Sequence, residues 1–121
     1  MVELVLKITA RAKGIPAMIQ ALAAVMFQAR LERGCVDCQI YAETGNPQSL
    51  RYAEEWATVQ DLESQLRSQR FGMLLDIMET TPVAPSLEVR TISEQRGLDY
   101  VRAVRLGAAT DGQRTEAAQT G

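Results

Sequence analysis

Apolar and polar residues alternate from Val2 to Thr9. Val2, Leu4, Leu6 and Ile8 fall on one side, Glu3, Lys7 and Thr9 on the other. A period of two marks a strand with one buried face. The period then changes. Ile15, Met18, Ile19, Leu22, Val25, Met26 and Ala29 recur at helical spacing, which predicts a helix over 15–33. Gly14 and Pro16 suit its start and Gly34 its end. Alternation returns over 35–43, where Val36, Cys38, Ile40 and Ala42 oppose Cys35, Asp37, Gln39 and Tyr41. The turn residues of TGNPQ, 44–48, then hairpin this second strand to a third at 49–57.

Thr58, with Asp61 three residues on, reads as the cap of a second helix. Val59, Leu62 and Leu66 begin its stripe, and Phe71, Met73, Leu74, Ile77 and Met78 continue it, with a break expected at Gly72. A proline-punctuated loop at 80–86 precedes a fourth strand at 87–93. The order β-α-β-β-α-β predicts an α+β, ferredoxin-like domain over 1–95, an antiparallel sheet with both helices on one face. A second copy is the simplest cover for the other face, so a homodimer is expected. Leu98, Val101 and Val104 predict a short helix within 96–107, a dimer contact by expectation. Residues 108–121 carry almost no large apolar side chain and are expected to be a flexible tail.

Composition narrows the chemistry. A chain of 121 residues that is 46% hydrophobic supports one core, and its net charge of -2 gives no electrostatic footprint for nucleic acid. No apolar run approaches the roughly 20 residues of a membrane span. The amino-terminal stretch has an acid at Glu3 and no basic run, so it does not read as a signal peptide. A cytoplasmic protein with reduced thiols is expected. The chain contains no histidine. Histidine triads, histidine metal sites and histidine general bases are therefore excluded.

The remaining candidates are few. On an unbroken strand Cys35 and Cys38 point to opposite faces, cannot share a metal, and read as packed thiols. Trp56 shares a face with Leu50, Tyr52 and Glu54, as a core aromatic or as the flat wall of an aromatic pocket. Of Glu54 and Glu55, one faces inward. There it is either a carboxylate with a raised pKa that serves as a base, or one partner of an ion pair with Arg51, Arg90 or an arginine of a second chain. Gln65 and Gln69 flank the second helix's stripe and could orient a polar ligand atom. Arg67 and Arg70 suit a phosphate or quinol oxygen, or simply a charged helix surface.

The stretch from Gly34 and Cys35 through Tyr41, Asn46, Pro47, Glu54 and Trp56 to Phe71 resembles the antibiotic biosynthesis monooxygenase family, in its quinol-monooxygenase-like branch. The resemblance covers about residues 1–93. It implies a dimeric α/β barrel of ferredoxin-like protomers, with a pocket between sheet and helices. It also implies oxygenation of a small aromatic, phenolic or quinone-like molecule with no metal, flavin or haem cofactor. Many relatives carry a histidine nine residues after the tryptophan and another five later, where this chain has Gln65 and Arg70. Antibiotic-pathway members carry an asparagine where this chain has Tyr52. On this reading Glu54, Gln65 and Arg70 are the catalytic candidates, and Trp56, Tyr52, Tyr41 and Gln69 the substrate-binding ones. A non-catalytic dimeric module for a small ligand, and an isomerase of a small phosphorylated carbonyl compound, stand as alternatives.

Overall fold

A computed structural model describes residues 1–107; the expected tail at 108–121 lies outside them. Four strands, β1 (Val2–Thr9), β2 (Cys35–Glu43), β3 (Asn46–Trp56) and β4 (Ser86–Thr91), form one sheet in the order β2-β3-β1-β4. Every neighbouring pair is antiparallel. The helices are α1 (Ile15–Ala29), α2 (Val59–Leu66), α3 (Gln69–Glu79) and α4 (Leu98–Arg105). This is the expected ferredoxin-like order, with α4 appended. None of these helices is long and apolar enough to cross a membrane.

Register assigns the two faces. Val2 pairs with Trp56, Leu4 with Glu54, Leu6 with Tyr52 and Ile8 with Leu50. These residues share the inner face, and all are buried. Leu22, Val25, Met26 and Ala29 of α1 close over them, with Leu62, Phe71 and Leu74 from α2 and α3. At roughly 25 cal/mol per Å² of apolar area buried, this one layer is the main source of stability. The outer face carries Glu3, Lys7, Asp37, Gln39, Arg51, Glu55, Glu88 and Arg90 around Val5 and Ala53. An antiparallel sheet tolerates water on such a face, so the side-chain pattern does not by itself demand the cover expected from the sequence.

Three local features differ from expectation. The second helical stretch breaks at Arg67 and Ser68, not at Gly72, which lies inside α3. Ser68 caps α3 by accepting a hydrogen bond from the Phe71 amide at 3.2 Å. A serine cap outcompeted the glycine because it satisfies a backbone donor, whereas a glycine within a helix is merely tolerated. The first helix ends at Ala29, four residues early, and the chain turns before Gly34. The third difference concerns the thiols. The β2–β3 register shifts between Cys35 and Asp37, so Cys35 faces Trp56 and Cys38 faces Glu54. A bulge inserts one residue, here the exposed Val36, and restores phase afterwards. Both cysteines therefore lie on the inner face, and the opposite-face expectation is overturned.

Candidate functional site

The inner face of a strand that packs under helices admits apolar residues at low cost, and β3 places a carboxylate there. Glu54 is fully buried beneath α2. A buried charge is tolerated when hydrogen bonds replace its water. Three donors do so. Tyr52 Oη donates to Oε2 at 2.5 Å, Gln65 Nε2 donates to the same oxygen at 2.9 Å, and Trp56 Nε1 donates to Oε1 at 3.0 Å. Tyr52, Glu54 and Trp56 come from alternate positions of one strand, and Gln65 arrives from the last turn of α2.

The network continues outward. Arg70 Nε, in the first turn of α3, donates to Gln65 Oε1 at 2.6 Å. Arginine only donates, so this contact fixes the amide with its nitrogen toward Glu54. Arg70 Nη2 then meets Glu32 Oε1 at 3.2 Å, and Ser68 Oγ donates to the Gln65 backbone carbonyl at 2.6 Å. The phenol, the indole and the fixed amide all aim donors at the two carboxylate oxygens. Nearby acids are held neutral. Burial pushes the Cys38 thiol up to about 12, and burial with the Glu54 charge pushes the Tyr52 phenol well above its usual range. Cys35 is also raised, by burial and then by Glu54 and Asp37.

Gly34 and the α2 start lock this end of the sheet. Gly34 adopts φ +89°, and its carbonyl accepts from the Ala57 amide at 2.8 Å. A Cβ there would fall onto the Asp61 carboxylate, which is itself held by Thr58 at 2.9 Å. The expected capping pair at Thr58 and Asp61 is present.

Of the sequence candidates, Tyr52, Glu54, Trp56, Gln65 and Arg70 form one connected group. Tyr41 does not join it. It stands half-exposed on the outer face under the Arg51 guanidinium, 5.4 Å from the ring centre, because odd positions of β2 beyond the bulge point away from the helices. Gln69 is exposed at the start of α3. The expected partners Arg51 and Arg90 reach Glu3, at 3.8 and 3.9 Å, rather than Glu54. Sequence reasoning missed Ser68 and Glu32. Ser68 carried a signal, as a cap residue three positions before Phe71. Glu32 carried none, since only folding brings it to Arg70.

The expected pocket between sheet and helices does not reach Glu54, whose neighbours Tyr52, Trp56 and Gln65 are no more than 1% exposed. An open groove of about 570 Å³ lies elsewhere, between the start of α1 and the end of α3. Ala10 marks its floor at the far end of β1, while Trp56 pairs with Val2 at the near end. Eight residues of extended chain, at about 3.3 Å each, separate the two ends by roughly 26 Å.

No family model and no curated protein matches the chain. Solved structures do. A provisionally assigned antibiotic biosynthesis monooxygenase of Deinococcus radiodurans superposes with a TM-score of 0.74 at 16% identity, over 81% of this chain and 98% of that one. Rv0793 of Mycobacterium tuberculosis gives 0.69 at 16%, over 79% and 98%. A further antibiotic biosynthesis monooxygenase gives 0.67 at 13%, over 78% and 100%. At these identities the likeness is one of fold, and it agrees with the fold that the resemblance implied.

Proposed function

We propose that this chain, which has the fold of the antibiotic biosynthesis monooxygenase structures, is a homodimeric, cofactor-independent monooxygenase of phenolic or quinol-like aromatics. The observation that carries this reading is the buried Glu54 carboxylate with its donors drawn from both sheet and helix layers. A substrate phenol transfers its proton to Glu54. The resulting electron-rich anion reduces oxygen and forms a carbon–oxygen bond at the ring carbon. The ring hydroperoxide then loses water, using the proton returned from Glu54, to leave a quinone. One substrate and one oxygen molecule give one quinone and one water. Trp56 and Tyr52 would flank the ring, and Gln65 held by Arg70 would orient its oxygen. Entry requires the α2–α3 corner at Arg67 and Ser68 to lift, since Gln65 and Arg70 stand on either side of it.

Dimerisation is supported by bare apolar surface. Leu87 and Val89 on β4, and Leu98, Val101 and Val104 on α4, are all at least 37% exposed. Sedimentation at micromolar concentration is expected to give twice the chain mass, and a monomer would remove this part of the proposal. The chemistry is tested by oxygen uptake from hydroquinones and naphthoquinols above autoxidation. Uptake that falls at least tenfold in Glu54→Gln supports it; background rates across the panel sink it. A second reading, a non-catalytic binding module, is favoured by the closure of Glu54, since every polar atom of the group is satisfied internally. Saturable binding without turnover would establish that reading.

A further inference from the structure

The groove at the far end of the helix layer has two chemically opposite walls. The α1 wall supplies Arg11 beside the small side chains Ala17 and Ala21. Arginine offers donors only. The α3 wall supplies Asp76, Thr80 and Thr81. Thr80 Oγ1 donates to the Ile77 carbonyl at 2.7 Å, and Thr81 Oγ1 donates to the Met78 and Val83 carbonyls at 3.0 and 2.8 Å. Their protons are spent, so this wall presents acceptors only. Arg11 and Asp76 each lack an ion-pair partner among the described residues, and they do not pair with each other. Met18 and Ile77 lie between the walls as apolar lining. The volume is that of a small-molecule site.

We propose that this groove binds a small aromatic acid that carries a hydrogen-bond donor on the ring edge opposite its carboxylate. The carboxylate sits on Arg11, because Asp76 repels it from the other wall. The ring lies on Met18 and Ile77, and the ring hydroxyl or amine donates to Asp76. The absence of any acid in the first turn of α1 leaves its helix dipole reinforcing Arg11. The site stands whether or not the Glu54 end is catalytic.

Titration calorimetry of the full chain with 4-hydroxybenzoate tests this. Binding is expected, conserved with 4-aminobenzoate, and at least fivefold weaker with benzoate, phenol or 4-methoxybenzoate. Arg11→Gln is expected to erase the preference for a carboxylate, and Asp76→Asn the preference for a ring donor. Ala17→Phe fills the groove and is expected to remove binding at unchanged melting temperature; Ala21→Phe serves if the first variant does not fold. Trp56 fluorescence is expected to stay constant at saturation, because that indole lies at the other end. Failure of 4-hydroxybenzoate to bind overturns the proposal, as does binding indifferent to all of these variants. Binding that shifts Trp56 fluorescence and is lost in Glu54→Gln also overturns it, and would place the ligand at the Glu54 end instead.

Discussion

The two ends of the helix layer treat polar groups in opposite ways. At the Glu54 end the buried groups of Tyr52, Glu54, Trp56 and Gln65 are matched to one another, and the chain of contacts runs out through Arg70 to the exposed Glu32. At the Ala10 end Arg11 and Asp76 are exposed and, among the described residues, have no ion-pair partner across open space. Burial explains the contrast. A buried unpaired polar group costs about 1–3 kcal/mol, so folding selects matched partners there. Exposed charges keep their water, at little cost, and remain available to a ligand. The closed end should therefore dominate stability, and the open end should hardly affect it.

Glu54→Leu is the sharpest way to break this contrast. It strands the indole, the amide and the phenol, and is expected to cost about 4 kcal/mol of unfolding free energy by denaturant titration. A cost under about 1 kcal/mol would mean the network is incidental. Gly34→Ala comes next, at about 2–3 kcal/mol, from a positive φ and a clash with Asp61. Adding Asp61→Gly should recover the clash but not the backbone strain.

The raised Cys38 pKa gives a pH test. Below pH 9 the thiol is protonated in both states. Above the ordinary value of 9.0 the unfolded chain releases the proton while the folded chain holds it up to about 12. Stability should therefore fall above pH 9, by about 1.4 kcal/mol per pH unit from this group. Tyr52 adds loss of the same sign at higher pH. Cys38→Ala should flatten the fall between pH 9 and 10, as followed by urea midpoints against pH; an equally steep fall would contradict the assignment. Ser68→Ala removes the α3 cap and is expected to cost about 1 kcal/mol. Arg11→Gln and Asp76→Asn, at the open end, should each change stability by no more than about 0.5 kcal/mol. A larger loss at either would show that the open end is structurally matched after all.

The alternation of Val2 to Ile8, the stripe of α1 and the hairpin after Glu43 made the fold legible, because periodicity reports which face meets the core. The same reading placed Tyr52, Glu54 and Trp56 on one face and suspected Gln65 and Arg70. It failed at Cys35 and Cys38, where a bulge resets the phase and the adjacent Gly34 read only as the end of the first helix. It failed again at Tyr41, which the resemblance grouped with Trp56 although they stand on opposite faces.

Sequence alone thus determined the order of the elements, the inward carboxylate and the chemistry denied by the lack of histidine. The tertiary structure decided which groups meet. Gln65 turns its amide to Glu54 because Arg70, from another helix, takes its oxygen, and Glu32 reaches Arg70 across nearly forty residues. The groove lies where the start of α1 and the end of α3 leave space between them. Local pattern fixes a side chain's direction along its own element, whereas hydrogen-bond partners and open space depend on how elements pack, and no local pattern records that.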